Sequence, residues 1–289
     1  MAFMKPIHDL YDILKDLPKM FSGVGRVKSI IVFGSAARPR DFTPKVSDVD
    51  VLIVTDDEPS IGYCELNIRD YRVSLVFMGI DRLKRLFEMG DPLSFMLKYS
   101  VIIIDDGTYQ SIMKSPLKIT EHTKHILRRS IFVALSLAVE KYFHEEYIRS
   151  ISHLYHSIRH LVRYTACLNG KPEKFPITDD EIYEASGESI REIFKTLRDA
   201  RRRNAFEGEV YSLIDETIRA VSNELNLNSI FLRDLKGMIK GIVEEVEISE
   251  VNGEIKFKLM IIEDDNLKML EINGRNIREI KNVDIELMG

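Results

Sequence analysis

A short apolar run, Ser29-Ile30-Ile31-Val32-Phe33, stops on Gly34-Ser35, and a second, residues 49–54, starts on the triplet Asp48-Val49-Asp50. Both runs are rich in β-branched residues and too short for helices, so they read as buried strands. A helix over 6–21 is expected before them, from Ile7, Leu10, Tyr11, Leu14 and Leu17 at helical spacing, broken at Ser22-Gly23. After them, 63–69 and 72–78 alternate and predict a hairpin turning at Asp70-Tyr71. A helix over about 81–89 and a strand over 101–104 complete a mixed α/β unit.

The chemistry of this stretch lies in two places. Carboxylates at i and i+2 of one strand point to the same face, roughly 6.5–7 Å apart at the backbone. Asp48 and Asp50 can therefore share one hard cation and present a second beside it, a pair of which would lie about 3.5–4 Å apart. Gly34 lets the backbone after the first strand approach phosphate oxygens closely, and Ser35 adds a hydroxyl. The sequence predicts a helix starting there, whose N-terminus would add partial positive charge. Asp-x-Asp and Gly-Ser are each cheap patterns. Their weight comes from context, with Asp48 thirteen positions after Ser35 and each motif on the end of an apolar strand.

From about residue 117 the texture changes to helical periods over 123–145, 147–168, 188–205 and 208–227, with a break at Asn169-Gly170-Lys171-Pro172. Thr178-Asp179-Asp180-Glu181 reads as a helix start with early acids. From 237 onward alternation returns, over 242–248, 254–262, 267–272 and 283–287, with a hairpin signal at Asn252-Gly253. The expected fold class is α+β: an N-terminal mixed-sheet domain (1–116), a central antiparallel helical bundle (117–236) and a small β-rich C-terminal module (237–289).

The net charge of −5 is uneven: residues 236–289 hold 8 Lys/Arg against 12 Asp/Glu, and the remainder is nearly neutral. No basic domain therefore marks broad nucleic-acid binding. No segment approaches the roughly 18–20 apolar residues of a membrane span, and residues 1–19 do not read as a signal peptide. Cys64 and Cys167 lack metal-type spacing, which with the missing leader points to a reducing cytoplasm.

Ile31-Val32-Phe33-Gly34-Ser35-Ala36-Ala37-Arg38-Pro39 followed by Ser47-Asp48-Val49-Asp50-Val51 resembles the DNA polymerase β superfamily, in particular the minimal and kanamycin-type nucleotidyltransferases. The resemblance covers roughly 25–105. It implies magnesium-dependent transfer of a nucleoside monophosphate, AMP from ATP, to an acceptor hydroxyl. Asp48 and Asp50 would ligate two Mg2+ ions (Mn2+ being able to substitute) and carry catalysis. Gly34 and Ser35 would hold the β and γ phosphates, and Arg38 would face phosphate oxygen. The acceptor stays open between a small molecule, a protein hydroxyl and an RNA end. One departure stands out. The family places a third carboxylate on a following strand, and the matching segment, Arg72-Val73-Ser74-Leu75-Val76-Phe77, has Ser74 there. Ser74 makes a poor base or metal ligand at neutral pH, with Glu65 or Asp70 as substitutes. The alternative is a catalytically weak or inactive nucleotide-binding module that acts through protein partners.

A helical bundle after such a core resembles the HEPN-type domains, by architecture rather than residues. The ribonuclease motif of that group begins in Arg201-Arg202-Arg203-Asn204, but no His follows, so no ribonuclease activity is expected. Arg198, Arg201 and Arg202, at helical spacing, could form a joint phosphate patch, although a solvated face is the simpler reading. His153, His156 and His160 share a helix stripe, read as a polar face rather than a zinc site. The expected partners are a nucleoside triphosphate and the acceptor, with no membrane; a homodimer is left open.

Overall fold

In the computed structural model, the described residues are 5–21, 25–38, 40–44, 46–168, 170–203, 206–237, 239–273 and 276–280. The chain is mixed α/β, with a mixed sheet first, many helices in the middle and an antiparallel sheet of four strands at the C-terminal end. It divides into two compact units that interleave along the sequence, 1–126 with 165–182, and 127–164 with 183–289. Ser22-Gly23, Asn169, Asn204 and the strand expected at 283–287 lie outside the described residues.

The first unit is built on five strands: β1 (Val27–Phe33), β2 (Val49–Thr55), β3 (Tyr63–Ile68), β4 (Tyr71–Gly79) and β5 (Val101–Asp105), in the order β3-β4-β2-β1-β5. β2 and β4 run parallel and the other pairs antiparallel. Both faces of the sheet are covered, which explains the continuous apolar runs of β1 and β2. On one face Ile7, Leu10, Leu14 and Leu17 of α1 (Lys5–Met20) pack on Val49, Val51, Ile53, Val73, Leu75 and Phe77. On the other, Leu52, Val54 and Met78 pack beneath Leu83 and Phe87 of α2 (Ile80–Met89), with Tyr109 and Ile112 of α4 (Thr108–Ile112). Between them lies the short α3 (Pro92–Met96), which starts on Asp91: Asp91 Oδ1 accepts from Leu93 N at 2.9 Å, and Pro92 supplies a preset φ.

Residues 34–37 depart from expectation. They form one 3-10 turn, Gly34–Ala37, after which Arg38 returns to extended backbone. No α-helix starts at Gly34-Ser35, so only local N–H groups, and no helix dipole, act there. The helix start read at Thr178 is a capping box. Glu181 N donates to Thr178 Oγ1 (3.2 Å) and Thr178 N donates to Glu181 Oε2 (2.9 Å), opening α7 (Asp179–Ala185).

The second unit holds most of α5 (Glu121–Phe143) and α6 (Tyr147–Leu168), together with α8 (Glu188–Ala200), α9 (Glu207–Leu225), α10 (Leu232–Lys236) and the meander β6 (Ile242–Val251), β7 (Glu254–Glu263), β8 (Asn266–Asn273), β9 (Asn276–Ile280). Two buried serines of α6 fix its pairing with α5. Ser150 Oγ donates to Ala138 O (2.7 Å) and Ser157 Oγ to Ile131 O (3.0 Å), a pattern only antiparallel helices give. The opposite stripe of α5 meets the sheet: Ile248 N donates to Ser136 Oγ at 2.7 Å, and Arg128 grips Glu250 through Nε and Nη2, both at 2.8 Å. Asn252-Gly253 turns the β6–β7 hairpin with φ of +54° and +79°. A bulge between Val243 and Glu245 lets Val243 and Val246 both face inward.

The arginine run ends differently from the sequence reading. α8 stops at Ala200, and the expected joint patch of Arg198, Arg201 and Arg202 loses its middle member to burial. Arg201 is buried and stacks on the Tyr155 ring at 4.1 Å, whereas Arg203 pairs with Glu209. On α6, His156 is exposed, and His153 and His160 are half-buried. Burial, then Arg163 and Arg159, push His160 down to about 3, so it is neutral at ordinary pH.

Candidate active site

The β2–β4 register brings the sequence-marked residues together on one face. Asp50 lies opposite Ser74, and Ser74 opposite Glu65 on β3, so the three side chains form a row across three strands. On the other side Asp50 pairs with Phe33, which places Gly34 at its carboxylate. This face is the one α2 covers further along, over Leu52 and Val54. The row sits at its other end.

Gly34 has a left-handed φ of +67°, and a Cβ there would overlap Asp50 Oδ2. Glycine is thus required twice, by the backbone and by the carboxylate against it. The Ser35 carbonyl accepts from Arg38 N at 2.9 Å, which closes the turn. Arg38 is buried and held by Asp41, Nε to Oδ2 at 2.6 Å, while its Nη1 has no hydrogen-bond partner among the described residues. Asp41 Oδ1 also accepts from Asp179 N at 3.2 Å. Arg38 therefore does not extend into solvent. It is fixed close enough to Asp50 to lower that carboxyl's proton affinity.

No hydrogen bond or ion pair reaches the Asp50 carboxylate among the described residues. Burial first, and then the negative charge of Asp48, raise it from 3.8 to about 7, against the pull of Arg38 and Arg72. Asp48 itself accepts from Arg72 Nε at 2.5 Å. The same Nε lies 3.6 Å from Glu65 Oε1, so one guanidinium links two carboxylates. Tyr63 OH lies 3.3 Å from both Glu65 Oε2 and Ser74 Oγ. Asp70 is in the turn beyond β3, remote from Ser74, which leaves Glu65 as the carboxylate beside that position.

The residue types fit a hard divalent cation. Asp50 is an uncompensated carboxylate beside a second one, and both supply oxygen. No group of three or more His, Cys, Asp or Glu able to hold a metal occurs among the described residues. Mg2+ nevertheless commonly takes one or two carboxylates and completes its shell with phosphate oxygens and water.

Residues 10–133 match the family model of the nucleotidyltransferase domain, which spans the whole row and the Gly34-Ser35 turn. The chain carries a nucleotidyltransferase domain. A nucleotide is the substrate class of such a domain. Nucleotidyltransferase domains generally use divalent metal ions, in keeping with the donor set described. Among solved structures, the chain is similar to the nucleotidyltransferase-like protein from Exiguobacterium sibiricum 255-15. The two are 14% identical over 75% of this chain and 76% of that one, with a TM-score of 0.34. No curated protein matches the chain. No described helix is long and apolar enough to cross a membrane.

Arg72 and Tyr63 are members of this row that the sequence reading did not single out. The signal was present: Arg72 lies two residues before Ser74, so once the strand is assigned it must share Ser74's face.

Proposed function

We propose that the protein is a Mg2+-dependent nucleotidyltransferase that moves AMP from ATP to an acceptor hydroxyl. The observation that carries this reading is Asp50: a carboxylate without a partner, pressed on Gly34 and raised to about 7 by burial and Asp48. Bound magnesium would neutralise the triphosphate and activate the attacking hydroxyl. Asp48 and Asp50 would hold it. The Gly34-Ser35 turn, free of a Cβ, would admit the β and γ phosphates to backbone N–H groups and the Ser35 hydroxyl. Arg38 is buried, so its contribution is its fixed positive charge and its spare Nη1 donor. Glu65, opposite Ser74 on β3, would take the proton of the acceptor hydroxyl, the task Ser74 cannot perform.

A second reading rests on Ser74 itself. With an alcohol where the superfamily has an acid, the site would bind nucleotide and turn it over slowly or not at all. The test is incubation with each α-labelled nucleoside triphosphate and Mg2+, following pyrophosphate release and label on protein, RNA or small-molecule acceptors. Pyrophosphate release abolished by Asp50→Asn supports the enzyme. Tight binding without release supports the binding module.

A further inference from the structure

We propose that Arg72 is a resident counter-ion that occupies Asp48 until a metal–triphosphate arrives, and then transfers its guanidinium to the triphosphate. This rests on the nucleotidyltransferase reading of the site and assigns its order of loading. Three observations support it. Asp48, of the two acidic residues of the triplet, is the one already engaged, by Arg72 Nε at 2.5 Å. Arg72 holds it through Nε alone: both terminal amino groups have no hydrogen-bond partner among the described residues, and the side chain is about one-third exposed. Those two amino groups are the part of the fork that pairs bidentately with phosphate oxygens. Finally, Arg72 is paired within β4, opposite Asn67 and two residues before Ser74, so a move from carboxylate to phosphate would need side-chain rotation rather than a backbone change.

The physical consequence is coupling. A bare cation must break the Asp48–Arg72 pair and leaves Arg72 with only the more distant Glu65, 3.6 Å from its Nε. A cation arriving with triphosphate offers Arg72 a new partner of higher charge. Metal alone should therefore bind weakly, and metal and triphosphate should strengthen each other.

The test is Mn2+ binding followed by electron paramagnetic resonance, without nucleotide and with a non-hydrolysable ATP analogue. It uses the full chain, the variants Arg72→Gln and Arg72→Lys, and thermal unfolding of each to check folding. Arg72→Gln should bind Mn2+ alone about tenfold more tightly than the wild type, and the mutual strengthening by the analogue should shrink by a similar factor. Arg72→Lys keeps the charge, so its Mn2+ affinity should stay near wild type while the analogue binds more weakly for want of the planar fork. Mn2+ affinity in Arg72→Gln that equals or falls below wild type would overturn the proposal, as would undetectable Mn2+ binding by that variant. If Asp48→Asn and Asp50→Asn leave Mn2+–analogue binding unchanged, the site reading itself fails instead.

Discussion

Asp50 stands beside Asp48 in a partly buried position, and its carboxyl is held at about 7 rather than 3.8. The sign of the consequence follows from linkage. The folded state binds more protons than the unfolded one between about pH 4 and 7, so stability falls as pH rises through that window and then levels off. Asp50→Asn should remove that slope. At pH 8 the variant should be more stable on the order of 2 kcal/mol after allowance for solvent screening, and at pH 4 nearly unchanged. Urea unfolding at the two pH values measures both. Gly34→Ala acts at the same spot from the other side. The left-handed φ alone costs roughly 1–2 kcal/mol, and the new Cβ must displace the Asp50 carboxylate. A lower melting temperature together with lost nucleotide binding is expected, whereas Ala36→Gly, in the same turn, should leave nucleotide binding in place.

At the scale of elements, the hairpin β3–β4 carries the open question of the third acid. If Glu65 does the work, Glu65→Gln should lower the transfer rate about 100-fold or more, and Ser74→Asp should add little. Parallel turnover measurements separate this from a site starved of a base, in which Ser74→Asp raises the rate. Strands were legible in the sequence wherever burial enforces a pattern. β1 and β2 read as continuous apolar runs because the sheet is covered on both faces, and β3 alternates because Glu65 and Tyr63 look away from α1. The capping box at Thr178 was legible for the same local reason. The end of α8 was not. Arginine is a good helix former, so the run to 205 reads as helix, yet the chain leaves the helix at Ala200, where Arg201 turns onto Tyr155 and Arg203 pairs with Glu209. The Arg201–Tyr155 contact is tertiary, and no local pattern announces it. Arg201→Ala should therefore destabilise by about 1–3 kcal/mol while exposed Arg202→Ala stays within about 0.5. Denaturant midpoints of the two variants decide whether this run is structural. The 3-10 turn at Gly34 was missed in the same way, since its shape is set by the Asp50 carboxylate thirteen or more residues away.

For the whole molecule, the compact units cut across the boundaries that composition suggests. Residues 237–289 read as a module of their own, but Ser136–Ile248, His144–Val243 and Arg128–Glu250 join the sheet to α5. α5 is weakly amphipathic because it is buried along two stripes, one against α6 and one against β6. Deleting 237–289 should expose the second stripe and lower the melting temperature of what remains; an unchanged melt would make the tail an independent module. Metal-dependent nucleotide binding at the Asp48–Asp50 pair is tested by calorimetric titration of ATP with and without Mg2+ into the wild type and into the double variant Asp48→Asn, Asp50→Asn. In the double variant the Mg2+-dependent part of the affinity should fall at least tenfold, about 1.4 kcal/mol. Equal Mg2+-dependent affinity in the two proteins would contradict it.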